Sequence, residues 1–243
     1  MTGSLLTTPF RKTVRDLRPA MAIWSVAIVL LMLVGVGSYH VVLGADAPDR
    51  ARQLADFSRI VSSFGYLLGE IVPIDNVGGY LTLRILPSLP LVLGIWALLA
   101  GSGMIRGEEE QGILDMHLAG PVSRRALGVQ KFAAFTAVCA LLGVVTWAAT
   151  LASGTVFGEP LGVGPAALAA LNSVTLAWFW GAVALLIGQF VAARRVAAAI
   201  TGGFMFASYL IDTNLSTRPA YKAIIGLLPH HYASLNKPLV PGR

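Results

Sequence analysis

Charge is the scarcest property of this chain. Asp, Glu, Lys and Arg together supply 12% of its 243 residues, against 56% hydrophobic residues and a mean hydropathy of +0.72. A soluble globule carries about 25% charged residues, so the composition excludes one and reads as an integral membrane protein. Cysteine is nearly absent. The single Cys139 lies in an apolar stretch, which excludes an intrachain disulfide framework and a thiolate metal site and leaves a small packing residue. Motifs that carry chemistry are missing too. There is no G-x-x-x-x-G-K-[ST] loop to cradle ATP, and neither H-E-x-x-H nor G-x-S-x-G to mark a hydrolase, so a membrane enzyme is the least favoured reading. His230 and His231 adjoin, but neighbours on a helix point apart and no carboxylate or thiol is close in sequence, so no metal site is assigned. Asn214-Leu215-Ser216 fits a glycosylation acceptor formally and is read as incidental.

What is present is a series of apolar runs. A helix needs roughly 20 apolar residues to cross a bilayer core, and five stretches qualify: 20–43, 81–105, 132–156, 165–191 and 196–211. The first is too long for a signal h-region, despite the cleavage-like Ala45-Asp46-Ala47, and reads as a retained anchor. Pro87 and Pro90 inside the second are tolerated because neighbouring membrane helices satisfy freed backbone groups. The predicted fold is an all-α polytopic membrane helix bundle forming one transmembrane domain over 1–243, with no soluble domain or clear repeat.

The net charge of +6 comes from bases grouped beside these spans rather than on one polar face. They are topology signals, and nucleic acid is excluded as a partner. Arg11, Lys12, Arg15 and Arg18, then Arg106, Arg124, Arg125 and Lys131, then Arg194 and Arg195 fall on one side if the spans alternate, which puts the N-terminus and 107–125 in the cytoplasm of a plasma-membrane protein. Thr8-Pro9 reads as a helix start, with Phe10, Val14 and Leu17 as an apolar stripe and Arg11 and Arg15 among the bases beside it. Two readings fit 8–18: an interfacial helix in the headgroup plane with its bases toward anionic lipid, or a basic flank serving topology alone. Arg84 and Asp212, near the outer ends of the second and fifth spans, are expected to reach the interface by snorkelling or tilt, with a pairing between them left open. Five spans leave 212–243 as an extracytoplasmic tail that carries bases against the charge rule. Within it, 223–228 is apolar but too short to cross, and reads as a re-entrant or interfacial helix.

The second and third spans are joined by a short charged segment that opens Gly107-Glu108-Glu109-Glu110-Gln111-Gly112. Three acids suit a helix N-terminus, and Ile113, Leu114, Met116, His117 and Leu118 follow at helical spacing before Gly120-Pro121 stops it. From charge alone, an amphipathic helix that docks on a partner and a solvated connector are equally good readings.

The segment resembles the signature of ABC-2 type transporter permeases: a Glu-rich stretch, a Gly-Thr-Leu-Glu-like tetrad, a few apolar residues and Pro-x-Ser-Arg. The matching positions are Glu108 to Glu110, Gly112-Ile113-Leu114-Asp115 and Pro121-Val122-Ser123-Arg124, continuing through Arg125 and Gly128-Val129-Gln130-Lys131-Phe132. Ile113 stands where the family usually has Thr and Asp115 where it usually has Glu; both keep an apolar-plus-acidic character. The resemblance implies a permease subunit of an ATP-driven exporter of hydrophobic or amphipathic cargo. ATP and its magnesium ion would be bound by a separate ABC ATP-binding subunit, with no cofactor on this chain, and a second permease subunit, identical or related, would complete the path. It further implies that Glu108, Glu109, Glu110, Gly112, Leu114, Asp115 and Leu118 seat in the ATPase, that Pro121 ends the lever, and that Ser123 and Arg124 start the next helix. Permeases of this family generally have six spans per half, so a sixth is expected beyond Arg243. The rival from another class is a non-transporting membrane scaffold or assembly factor that binds a cytoplasmic partner through 107–125.

Overall fold

The computed structural model describes residues 8–43, 76–112, 123–215, 219–234 and 237–240. Five of its helices are long and apolar enough to cross a membrane, and no strand occurs among the described residues. The first, α1, runs Thr8–Leu43. At 1.5 Å per residue its 36 residues span about 54 Å, well beyond a hydrocarbon core of about 30 Å. Charge patterning sets 8–18 apart as an interfacial element, but these residues form one helix with the first span. Leu17, Ala20, Met21 and Trp24 all pack against the same core as the apolar residues that follow, and the backbone bond lost at Pro19 is a cost membrane helices tolerate.

The second apolar run, 81–105 by hydropathy, is divided. The short helix α2, Val77–Arg84, is capped by Asn76, whose side chain accepts from the Gly79 N–H at 2.9 Å; a turn follows, and then α3, Leu89–Ser102. The prolines explain the break: Pro87 disfavours a helical Leu86, and Pro90 falls in the first turn of α3, where its missing N–H costs nothing. From α3 the chain passes through a π-helical turn, Gly103–Gly107, into α4, Glu108–Glu110, so that Leu89–Glu110 acts as one span. Then come α5, Arg124–Val156, α6, Val163–Gly188, and α7, Arg194–Leu215. Hydropathy puts the starts of the third and fifth spans at 132 and 196 because it registers only the lipid-embedded part of a helix. Both helices start earlier, with their bases in the first turns.

α1 packs on α5, α6 lies between α5 and α3, and α7 closes against α3 and α6. Apolar side chains gain little by leaving lipid for one another, so membrane helices associate through close packing at small residues. Gly101 and Gly181 provide it here. A Cβ on Gly101 would stand 2.1 Å from the Gly181 carbonyl oxygen, and one on Gly181 would stand 2.2 Å from the Phe135 ring and 2.9 Å from the Ala97 carbonyl oxygen.

Beyond α7 the chain folds back over the bundle through a 3-10 turn, Pro219–Tyr221, and two short helices, α8, Lys222–Ile225, and α9, Pro229–Ser234. α9 lies against α6 and α7, and the backbone at Leu239 covers Gly78 of α2. Asp212 does not snorkel outward. It is buried, and its Oδ1 lies 3.0 Å from His231 Nδ1, whereas Arg84 is exposed. The tail reaches back to supply the polar partner that a carboxylate at that depth needs.

The Gly101 contact yields a test. Gly101→Ala should destabilise the bundle by about 1–3 kcal/mol, the usual cost of forcing a methyl into a closed core. Gly203→Ala, where nothing lies within 4 Å, should be neutral or slightly stabilising. Thermal unfolding of the purified variants in detergent reads both, and equal melting temperatures would contradict the packing.

Candidate functional site: the Glu-rich end of the second span

Three glutamates in the first turn of a helix would lie at its electropositive end. The structure puts them at the other end. Glu108, Glu109 and Glu110 close the span Leu89–Glu110, and Gly112, in the left-handed region at φ 69°, stops it, with its N–H donating to the Glu109 carbonyl at 3.0 Å. Carboxylates at a helix C-terminus oppose the macrodipole, so they persist only with compensating positive charge. Glu108 and Glu110 find partners on other spans, and Glu109 finds one on its own.

Glu108 takes two lysines. Lys12 Nζ, from the third residue after Pro9 in α1, donates to Oε1 at 2.8 Å, and the Lys131 ammonium of α5 contacts Oε2. The Lys131 side chain is 3% exposed and also donates to the Met104 carbonyl at 2.6 Å, within the π turn. Glu109 pairs with Arg106 Nη1 at 2.9 Å, and Arg106 Nε donates to the Gly188 carbonyl at 3.1 Å, at the C-terminus of α6. Glu110 Oε1 accepts the backbone N–H of Arg194, the first residue of α7. The Arg194 guanidinium lies over Gly103, where a Cβ would be 3.2 Å away, and donates to the Leu99 carbonyl at 3.4 Å.

These bonds gather the ends of all five spans. Lys131 donates within the π turn, at Met104, and Arg194 just ahead of it, at Leu99 of α3, so both bases reach this irregular stretch from other spans. Among the described residues no three His, Cys, Asp or Glu side chains come together as a metal group. What the arrangement offers is mechanical: one short acidic turn to which helices from four other parts of the chain are tied.

Of the residues singled out from sequence, Ser123 is the N-cap of α5, its Oγ accepting from the Ala126 N–H at 3.2 Å, and Arg124 is exposed beside it. Gly112 is the helix stop just described. Leu114, Asp115, Leu118 and Pro121 lie outside the described residues. On α1, Arg11 and Arg15 are exposed, while Phe10, Val14 and Leu17 are half-buried and Leu17 packs inward on the core. Lys12, Arg106, Lys131 and Arg194 enter the sequence reading as topology bases, Lys12 also on the 8–18 helix and Lys131 also at the end of the family match, and their pairing with the glutamates goes unseen there. One signal is available: in so uncharged a chain, four bases and three acids fall at the same membrane edge if the spans alternate.

At the opposite end His40 Nε2 of α1 lies 3.6 Å from Glu159 Oε1 in the turn between α5 and α6, and Ser38 shares a 3.0 Å hydrogen bond with the Tyr80 hydroxyl. The α2 cap and the Asp212–His231 pair belong to the same end. The spans therefore alternate in direction.

A family model described as ABC-2 family transporter protein matches residues 7–230, which takes in all five spans and the Glu-rich turn. No curated protein and no solved structure matches the chain. The permeases of this family are membrane transport subunits rather than nucleotide-binding ones, and generally work with an ATP-binding subunit. With a match over most of its length and five apolar helices, this chain belongs to the ABC-2 transporter family and is a multi-pass membrane permease of an ABC transporter.

Proposed function

We propose that this permease exports a hydrophobic or amphipathic substrate across the plasma membrane, driven by ATP hydrolysed with magnesium in a separate ABC subunit docked at the Glu-rich end. That end faces the cytoplasm, and a second permease subunit, identical or related, completes the path. The observation that carries this reading is the three-way anchorage of the acidic turn. Glu108 holds α1 and α5, Glu109 through Arg106 reaches α6, and Glu110 caps α7. A displacement delivered to the segment after Gly112 is thereby shared among all the spans, as rigid-body domain movements require.

The division of labour differs among the acids. Glu108, with a side chain 15% exposed, serves the bundle; Glu109, at 50%, keeps a face for bases on the ATPase. Leu114 and Leu118 supply the apolar contact, Asp115 adds charge, and Pro121 ends the lever ahead of the Ser123 cap.

Leu114→Ala should weaken retention of the ATPase subunit by about 2 kcal/mol at any ionic strength, as loss of a buried apolar anchor does. Glu109→Gln should cost about 1 kcal/mol or less, and only at low salt. Pull-down of the ATPase on purified permease variants at low and high salt measures both; unchanged retention in both would reduce the segment to a connector.

Orientation is tested separately. In a Cys139→Ala background, a membrane-impermeant thiol reagent added to intact cells should label Pro160→Cys and spare Gln111→Cys until the cells are opened. Labelling of Gln111→Cys from outside would invert the topology.

A further inference from the structure

The face of α1 turned away from the bundle changes character along its length. Arg11, Arg15 and Arg18, spaced four and three residues apart, share one side of the helix, and the same side continues as exposed Ala22, Val26 and Val29, with Val26 59% and Val29 38% exposed. An aliphatic face this exposed, on a helix that crosses a membrane, is covered by acyl chains. The arginines are its direct continuation. From Arg11 to Arg18 the helix rises about 10 Å, somewhat more than the 5–8 Å of headgroup layer on each side of a bilayer core. None of the three makes an ion pair or side-chain hydrogen bond among the described residues. The nearby acid, Asp16, is exposed one turn from Lys12, to the side of the arginine row rather than within it. Lys12 itself turns toward the bundle to hold Glu108.

From this continuity and charge we infer that Arg11, Arg15 and Arg18 form a docking strip for the headgroup phosphates of anionic phospholipids, in the leaflet at the Glu-rich end of the bundle. Guanidinium groups suit such a contact, because each presents a planar fork of donors to a phosphate while its stem lies along the helix toward the acyl region. A base near an anionic membrane surface contributes about fivefold in association, so three in a row distinguish an anionic lipid from a zwitterionic one. Lys12, which anchors Glu108, lies about a quarter-turn round α1 from the strip. Lipid on one face of α1 and the carboxylate on the adjoining one would fix the height and rotation of the helix in the membrane. Such a lipid contact requires neither a particular cargo nor a docked ATPase.

The test uses the full chain reconstituted in phosphatidylcholine vesicles doped with spin-labelled phosphatidylglycerol or spin-labelled phosphatidylcholine. Electron paramagnetic resonance reads the motionally restricted fraction of each probe, and their association ratio is the selectivity. Wild type should prefer phosphatidylglycerol. Replacing Arg11, Arg15 and Arg18 together by Gln should lower the ratio at least about threefold, replacing them by Lys should restore most of it, and Lys222→Gln at the other end should leave it unchanged. An unchanged ratio in the Gln variant would overturn the inference. So would an equal fall in the Lys variant or in Lys222→Gln, since the preference would then come from the fold or from diffuse charge. Displacement of the restricted lipid by inorganic phosphate in the buffer would reassign the strip to a soluble anion and overturn the membrane occupant.

Discussion

The bundle hinges on one carboxylate held between two ammonium groups. Glu108 lies at the C-terminal end of a span, where the helix dipole and the low polarity of the membrane edge both disfavour a negative charge. Lys131 is nearly enclosed, where a lone ammonium is equally disfavoured. Each group offsets the cost of the other, with the Met104 carbonyl taking a further proton of Lys131 and Lys12 taking the second oxygen of Glu108. Three spans that share no sequence neighbourhood are thereby fixed to one point.

Around that point the structure divides its cohesion by depth. In the middle of the bundle helices approach through missing side chains, at Gly101 and Gly181, because lipid leaves apolar surfaces with little reason to associate. At the ends, where water begins, cohesion comes from charge: the acidic turn on one side, His40 with Glu159 and Asp212 with His231 on the other. The path from the acidic turn into the membrane runs through a π turn, a wider and less regular helix whose Met104 carbonyl accepts from Lys131 of α5. The contacts of that end gather on the acidic turn, where all five spans meet.

The number and order of the spans are legible in the sequence because hydropathy reads the lipid-facing requirement directly. So is Ser123 as a helix start, since capping is local. The partners of Glu108 are not. Lys12 is 96 positions away, and a linear pattern cannot tell a lysine that snorkels from one that is enclosed. Lys131 therefore reads as one more topology base. The direction of the acidic turn misleads for a related reason: three glutamates favour a helix start by local rules, whereas here Glu108 and Glu110 find their donors on other spans. Asp212 likewise reads as an interfacial group because its partner, His231, belongs to a tail whose fold-back leaves no periodic signature.

The central claim is that Glu108 and Lys131 stabilise the bundle as a pair, and a double-mutant cycle tests it most directly. Thermal unfolding of the purified chain in detergent would be compared for wild type, Glu108→Gln, Lys131→Met and the double variant. Breaking a buried pair from either side costs about 3–5 kcal/mol because a charge is left unmatched. Each single variant should therefore melt well below wild type, and the double variant should recover much of the loss, with a coupling of at least about 1 kcal/mol. Strictly additive losses would show that the two groups contribute independently and would contradict the account.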